Sequence, residues 1–180
     1  MGSRGASSGI EVKGKLFISK SDATPVEGYK RGELKFFVDI NMNKHYDGED
    51  GGIWQIEFDS HTPEEKEDAK WLEKIIKEKV YLNPRATKPD GTPSFDYITE
   101  SGIRIEQKSS GKGTGNRIER AVQKGKDQAR IFLVNITGSG LSKDKAISDA
   151  RDVMFKYKTK HYTDEIIIKD GNNLIAWLKK

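Results

Sequence analysis

A period of two in the hydrophobic pattern predicts a β-hairpin in the middle of the chain. Residues 94–99 and residues 103–108 alternate between apolar and polar positions, and serine and glycine separate the two runs. A three-residue loop at 100–102 would place Thr99 opposite Ile103. Slipping this register by one residue would mix apolar and polar side chains on each face, because successive side chains of a strand alternate. The pattern therefore predicts one register.

In that register the hairpin has a polar face and an apolar face. The polar face carries Asp96, Arg104, Glu106 and Lys108, and the apolar face, which we expect in the core, carries Phe95, Tyr97, Ile103 and Ile105. Asp96 lies opposite Glu106, and like charges placed in this way destabilise a sheet. A divalent cation bound by oxygen ligands is the simplest compensation. Lys108 could then stabilise developing negative charge or position a water. The alternative is a surface hairpin whose mixed charges pair with one another.

Helical periodicity predicts three helices. The first starts with a capping box, in which Thr62 is the N-cap and Glu65 lies three residues on. Asn116 caps the second helix, and a third is expected over about 143–159. Gly125 indicates close packing of the second helix against the sheet. The apolar stripes that define these helices are Ala69, Leu72, Ile75 and Ile76 with Trp71 at the edge, then Ile118, Ala121, Val122, Gly125 and Ala129, then Ala146, Ala150, Val153 and Tyr157.

Short apolar runs predict the remaining strands. Residues 131–136 are almost continuously apolar, which is typical of a strand covered on both faces. Residues 83–93 contain three prolines and are expected to form a loop. The other predicted strands lie at about 11–19, 33–40, 53–59, 80–82, 165–169 and 173–178, the last two joined by a turn at 170–172.

These elements predict the α/β class, with a mixed central sheet flanked by helices and an N-terminal β extension. Residues 1–10 are small, polar and glycine-rich, so we expect them to be disordered or loosely attached. Residues 11–60 are expected to form the β-rich extension, and residues 61–180 the main α/β domain.

Composition excludes several kinds of chemistry. The chain has 180 residues, of which 34% are hydrophobic and 33% charged, and it has no cysteine. Disulfides, thiolate nucleophiles and cysteine-ligated metals are therefore excluded. The three histidines are scattered and are interpreted as incidental. No apolar run approaches the length of a membrane span, so we expect no membrane partner. The absence of cysteine fits a reducing compartment, and we expect a cytoplasmic site of action.

Charge is distributed unevenly. Residues 104–130 contain eight Lys or Arg and three Asp or Glu, net +5, whereas residues 47–73 contain two lysines and ten acidic residues, net −8. A basic stretch directly after the carboxylate hairpin predicts contact with a polyanion. The glycine-rich run 109–115 is expected to be a flexible linker, with a backbone–phosphate contact as the alternative. The candidate nucleic-acid-binding residues are Lys112, Arg117, Arg120, Lys124 and Gln128.

Asp96 followed by Glu106-Gln107-Lys108 resembles the signature of the PD-(D/E)XK nuclease superfamily, with Phe95 in place of the motif's proline. Residues 64–180 resemble the tRNase toxin domain at the C-terminus of contact-dependent growth-inhibition (CdiA) proteins and its phage-carried relatives. The segments that carry this resemblance are Glu67-Asp68-Ala69-Lys70-Trp71-Leu72, Phe95-Asp96-Tyr97, Ile105-Glu106-Gln107-Lys108 and Gln128-Ala129.

The resemblance implies a restriction-endonuclease-like fold for residues 61–180. It implies that Asp96 and Glu106 bind Mg²⁺ or Mn²⁺, with the backbone carbonyl of Gln107 nearby. Lys108 would polarise the attacking water or stabilise the transition state. Glu67 aligns with an acidic residue that reaches the site from the first helix, although periodicity favours the neighbouring Asp68, which lies on the buried side. Gln128 resembles a polar residue near the superfamily's site, and a surface glutamine is the alternative.

The implied activity is that of a metal-dependent endonuclease, with tRNA as the favoured substrate. DNA cleavage by the same chemistry is one alternative, and a catalytically silent module that binds nucleic acid or protein is another. If the protein is a toxin, an immunity protein is the expected partner, and the toxin would be phage-encoded or delivered into target cells.

Overall fold

A computed structural model of the chain describes residues 10–12, 15–19, 36–46, 53–57, 59–87 and 95–180. These residues contain twelve strands and three α-helices. The chain divides into two compact units, Met1–Ile103 and Arg104–Lys180, each of which combines helix with sheet. The α/β class is therefore confirmed, and the restriction-endonuclease-like fold stays a prediction. Residues 1–9, which we expected to be disordered or loosely attached, lie outside the described residues.

The first unit contains two antiparallel sheets and one helix. One sheet has the strand order β1-β2-β5-β7. In the other, β8 pairs with β6, β6 with β3, and β3 with β4. The elements are β1 (Ile10–Val12), β2 (Lys15–Ser19), β3 (Phe36–Val38), β4 (Lys44–Tyr46), β5 (Ile53–Glu57), α1 (Pro63–Ile76), β6 (Val80–Leu82), β7 (Arg85–Thr87) and β8 (Tyr97–Thr99).

The loop predicted over residues 83–93 is wrong at residues 85–87. These residues form β7, which pairs with residues 55–57 of β5. The run Arg85-Ala86-Thr87 has no alternating apolar pattern, so its strand conformation follows from pairing with a neighbour and not from local preference. Residues 88–94 lie outside the described residues.

The predicted capping box at the start of α1 is confirmed. The Thr62 side chain accepts a hydrogen bond from the Glu65 N–H at 3.1 Å, and the Glu65 carboxylate accepts one from the Thr62 backbone. Ala69 and Leu72, on the apolar face of the helix, are fully buried, as the apolar stripe predicts. The last residue of the helix is Ile76, and its C-cap, Lys77, adopts the left-handed conformation.

The turn of the predicted hairpin is also confirmed. The Thr99 N–H donates to Ile103 O at 2.9 Å across the loop 100–102, and Gly102 has a positive φ of 90°. The expectation that Ile103 belongs to the core is wrong, because its side chain is 44% exposed. Tyr97 and Ile98, on opposite faces of β8, are both buried. The strand is covered on both sides, whereas Ile103 lies at the end of an exposed turn.

In the second unit, four strands of a mixed sheet pair in the order β12-β11-β10-β9. Strands β9, β10 and β11 are parallel, and β12 returns antiparallel to β11. The elements are β9 (Arg104–Ser109), α2 (Arg117–Lys124), β10 (Ile131–Asn135), α3 (Lys143–Phe155), a 3-10 helix (Lys158–His161), β11 (Glu165–Asp170) and β12 (Asn173–Lys179).

The core of the second unit lies between its two α-helices and one face of the sheet. Strand β10 is buried on both faces, as its apolar run predicts. The third helix is shorter than predicted, since it ends at Phe155 and a 3-10 helix follows. The central cluster comprises Ile118, Val122, Phe132, Val134, Ile136, Ala146, Ala150, Val153, Met154, Ile166 and Ile168.

Within the described part of the chain, no helix combines the length and the hydropathy that crossing a membrane requires.

Candidate active site

Strand β9 presents Glu106 and Lys108 on one face, because alternate residues of a strand point the same way. Their charged groups form an ion pair, with 2.9 Å between Lys108 Nζ and Glu106 Oε2. Phe132 and Val134 lie beside them on β10, in register with Glu106 and Lys108 respectively. The pair therefore lies next to the apolar core of the second unit.

Glu106 is almost completely buried, with 3% of its side chain exposed, whereas 21% of the Lys108 side chain is exposed. Only one carboxylate oxygen of Glu106 contacts the lysine. Among the residues that the structure describes, none donates a hydrogen bond to the other oxygen, Oε1. A buried carboxylate oxygen without a donor is energetically unfavourable. This oxygen has the chemistry and the vacant coordination of a ligand for a hard divalent cation.

Gln128 and Gly125 complete the surroundings of the lysine. Lys108 Nζ donates a long hydrogen bond of 3.4 Å to Gln128 Oε1. A Cβ added to Gly125 would lie 3.0 Å from Lys108 Cε and 2.9 Å from Phe132 Cε1. The absence of a side chain at residue 125 therefore leaves room for the lysine, and the close packing predicted from this glycine is confirmed.

Gln107 lies between Glu106 and Lys108 in sequence, so its side chain points to the opposite face of β9. It is buried, and its Nε2 donates to Ser109 Oγ at 3.3 Å. A metal contact by Gln107 would therefore use its backbone carbonyl, as the resemblance implies, and that contact stays a prediction.

The first unit brings Asp96 together with Glu65 and His61. Each residue offers one ligand atom, and these three atoms all lie within 4.8 Å of one another. Asp96 directly precedes β8, Glu65 lies in the first turn of α1, and His61 precedes the N-cap of that helix. Two carboxylates and an imidazole at this spacing can bind a divalent cation.

Hydrogen bonds fix the backbone around this cluster. The Tyr97 hydroxyl donates to Glu65 O at 2.6 Å, which ties the start of β8 to the first turn of α1. Asn83 donates from its backbone N–H to Asp96 O and from Nδ2 to Phe95 O, both at 2.8 Å. Asp96 therefore belongs to a segment held on both sides, and its position relative to Glu65 depends on tertiary contacts.

Burial raises the pKa of the Glu65 carboxyl above its usual value, and the negative charge of Asp96 raises it further. Hydrogen bonds from Thr62 oppose this shift. A carboxyl whose pKa is raised on folding destabilises the folded state once the pH exceeds its ordinary pKa. A cation bound between the two carboxylates would remove that repulsion.

Glu67, which the resemblance places in the site, is 71% exposed and pairs with Lys70 at 3.2 Å. Asp68 is 1% exposed, so the periodicity that put it on the buried side of α1 is confirmed. The acidic residue of α1 that lies near Asp96 is Glu65, which the sequence identified only as part of the capping box. The incidental role assigned to His61 overlooked its place one residue before that cap. Glu65 lies one helical turn before Asp68, and His61 lies four residues before Glu65.

The predicted nucleic-acid-binding residues differ in what they contact. Lys112 and Lys124 are exposed. Arg117 and Arg120 donate to backbone carbonyl oxygens of the loop that precedes α2. Gln128 is half-buried and its Oε1 accepts a long hydrogen bond from Lys108 Nζ, and its role in the site stays a prediction.

The candidate residues therefore fall into two groups, one in each unit. His61, Glu65 and Asp96 belong to the first, and Glu106 and Lys108 to the second. The pairing of Asp96 with Glu106 across the hairpin stays a prediction.

Comparisons with known proteins find a similarity for part of the chain. Residues 93–174 match the family model described as the contact-dependent growth inhibition CdiA C-terminal domain. That segment includes Asp96, Glu106 and Lys108. The chain is also similar to a solved structure, the CdiA-CT/CdiI toxin and immunity complex from Burkholderia pseudomallei, with 22% sequence identity and a TM-score of 0.46 over 65% of this chain and 83% of that chain. No curated protein matches the chain.

Proposed function

We propose that this chain is a nuclease toxin of the contact-dependent growth-inhibition type, which hydrolyses phosphodiester bonds with the help of a divalent cation. The observation that carries the proposal is the buried ion pair Glu106–Lys108, which lies inside the segment that matches the CdiA C-terminal domain. A buried carboxylate with a vacant oxygen beside a partly exposed ammonium group is suited to charge chemistry at a phosphate.

The described residues fit a divalent cation in two respects. His61, Glu65 and Asp96 offer three ligand atoms within 4.8 Å of one another. The predicted role of Glu106 as a cation ligand is supported by its buried Oε1, for which no donor is found among the described residues. A bound Mg²⁺ or Mn²⁺ would activate a water and polarise a phosphoryl oxygen.

Lys108 has the arrangement of a group that stabilises negative charge. Its ammonium is held between Glu106 Oε2 and Gln128 Oε1, and 21% of the side chain remains exposed. The two acceptors restrict its position before substrate binds, so little reorganisation is needed when charge develops on the phosphate. We propose that Lys108 is a catalytic residue and that Gln128 positions it.

We favour tRNA over DNA as the substrate because of the resemblance to tRNase toxin domains. The exposed side chains of Lys112 and Lys124 supply positive charge for a nucleic-acid backbone. A nuclease that acts on cellular tRNA would harm the cell that makes it, so we also propose an immunity protein as a partner. The proposed site of action is the cytoplasm of the target cell.

Incubation of labelled tRNA and plasmid DNA with the protein tests both the activity and the substrate. We expect cleavage of tRNA with Mg²⁺ or Mn²⁺ and no cleavage with EDTA. Asp96→Asn and Lys108→Met should each reduce the rate by about 10²–10³-fold, the effect of removing one charge-stabilising group. Asp127→Asn, a change of the same kind at an exposed position, is the matched control.

Cleavage of DNA alone would show that DNA, and not tRNA, is the substrate, and the proposed chemistry would stand. Cleavage of neither nucleic acid with any divalent ion would contradict the proposal. Expression of the wild type and of Asp96→Asn in bacteria gives an independent test, since equal growth of the two strains would contradict the toxin assignment.

A further inference from the structure

An arginine of α2 joins two loops at one end of the parallel strands. We use the name glycine loop for residues 110–115, which connect β9 to α2. Arg117 Nη1 donates to Gly111 O of this loop at 3.0 Å, and to Ser139 O of the loop after β10 at 2.7 Å. Both loops follow the carboxyl ends of adjacent parallel strands, which is where α/β sheets commonly bind ligands.

A second arginine, one helical turn further along α2, contacts the other end of the glycine loop. Arg120 Nη1 donates to Thr114 O at 2.6 Å. Cβ atoms added to Gly113 and Gly115 would lie 3.4 and 3.2 Å from its guanidinium nitrogens. The guanidinium group therefore lies directly against the loop backbone.

The glycine loop needs contacts of this kind to hold it in one conformation. Three of its six residues are glycines, and Gly113 and Gly115 have positive φ angles. Glycine has more conformational freedom to lose than any other residue, so ordering this loop is unfavourable in entropy. The loop carries Lys112, which is exposed. Its contacts with the two arginines are made before any substrate is present.

We propose that Arg117 and Arg120 are positioning residues that hold the glycine loop in the conformation that meets the phosphodiester backbone of the substrate. The direct phosphate contact from the loop is then made by Lys112, and the arginines act through the loop. This assignment rests on the proposed function, because it takes a nucleic acid as the ligand. It differs from the prediction that the arginines contact phosphate themselves.

Charge-conserving substitutions separate the two roles. Lysine keeps the positive charge of arginine, but it lacks the planar fork that can donate to two carbonyls in fixed directions. The double variant Arg117→Lys with Arg120→Lys should therefore release the loop without changing the net charge. Arg151→Lys, at an exposed position of α3, is the matched control.

Binding of fluorescent tRNA and of DNA is measured in EDTA over a range of salt concentrations, so that cleavage does not interfere. We expect the double variant to bind about tenfold more weakly, because ordering the loop is now part of binding. The slope of log affinity against log salt should stay the same, since no phosphate contact is lost. Lys112→Gln should instead reduce that slope by about 0.7–0.9.

Hydrogen exchange gives a readout that does not depend on substrate. In the double variant the amides of residues 111–115 should exchange faster, while those of β10 and α3 keep their protection. Arg151→Lys should match the wild type in both measurements.

Wild-type affinity in the double variant would overturn the positioning role. A lower slope for Arg117→Gln, with loop exchange unchanged, would also overturn it and assign a direct phosphate contact to Arg117. If the wild type binds the nucleic acids and only the double variant behaves unexpectedly, the proposed function stands. If the wild type binds neither nucleic acid at low salt, both proposals fail.

Discussion

The two groups of candidate residues differ in the charge that lies beside a carboxylate. In the second unit, the carboxylate of Glu106 has a lysine partner at 2.9 Å on the same strand. In the first unit, Glu65 faces another carboxylate, that of Asp96, and its pKa is raised by burial and by that negative charge. The first arrangement pairs opposite charges, whereas the second brings two like charges together, and a bound cation would reduce their repulsion.

The charged groups of the second unit are arranged without a ligand, whereas we expect the arrangement in the first unit to respond to a bound cation. Lys108 contacts Glu106 on its own strand and Gln128, so its charge is positioned by groups of the protein itself. In the first unit the negative charge of Asp96 raises the pKa of Glu65, and a bound cation would oppose this effect. We therefore expect the two groups to respond differently to metal, to mutation and to pH.

The largest expected effect is stabilisation of the first group by a cation. At a concentration one hundred times its Kd, Mn²⁺ should raise the free energy of unfolding by about 2.7 kcal/mol. Asp96→Asn should remove most of this gain because one ligand and one charge are lost. Urea unfolding with Mn²⁺ and with EDTA measures the difference, and an equal gain in both proteins would show that the ion binds elsewhere.

A variant of His61 gives a second test of metal binding in the first unit. Imidazole is a better ligand for Mn²⁺ than for Mg²⁺, which prefers oxygen. His61→Gln should therefore weaken Mn²⁺ binding more than Mg²⁺ binding in calorimetric titrations. Equal losses for the two ions would argue against the imidazole as a ligand.

The next effect concerns the ion pair between Glu106 and Lys108. Lys108→Met keeps the length of the side chain but leaves the Glu106 carboxylate buried without its cation. The free energy of unfolding should fall by about 1–3 kcal/mol. The double variant with Glu106→Gln should recover part of this loss, because no uncompensated charge remains. A single variant as stable as the wild type would contradict the compensation of Glu106 by Lys108.

A smaller effect is expected at the glycine beside the lysine. Gly125 has a φ of −109°, so alanine introduces no backbone strain there, only a methyl group close to Lys108 and Phe132. Gly125→Ala should destabilise by about 1 kcal/mol, the lower end of the range for overpacking, because the end of the lysine side chain can move. Thermal unfolding measures this loss, and a more stable variant would contradict the tight packing.

The smallest effect is a change in titration. In EDTA, Asp96→Asn should lower the pKa of Glu65 towards its usual value, because the repelling charge is gone. The wild type should lose stability as the pH rises from the ordinary pKa of Glu65 through its raised value, and the variant should lose less. Carboxyl NMR measures both, and an unchanged Glu65 pKa would exclude the effect of Asp96.

Asp164 provides an internal reference for this titration. Its hydrogen bonds with Arg130 hold its pKa below the usual range. The stabilisation from that pair is present above the ordinary aspartate pKa and is lost as the pH falls through the lowered value. Asp96→Asn should leave the pKa of Asp164 unchanged.

Local features of the fold could be predicted from the sequence because neighbouring residues determine them. The capping box at Thr62, the cap at Asn116 and the turn at 100–102 all depend on contacts within four residues. The strand at 131–136 was recognised because a continuous apolar run needs cover on both faces. Strand β7 was missed because its conformation depends on a partner strand some thirty residues earlier in the chain.

The sequence by itself determined the type of most elements and the face of β9 that carries Glu106 and Lys108, since the side chains of a strand alternate whatever surrounds it. Tertiary structure alone decided that Glu65 and His61, and not the exposed Glu67, lie with Asp96. It also placed Gln128 beside Lys108, twenty residues away along the chain. The physical reason is that the proximity of side chains on distant segments arises from packing between those segments, which no local periodicity encodes.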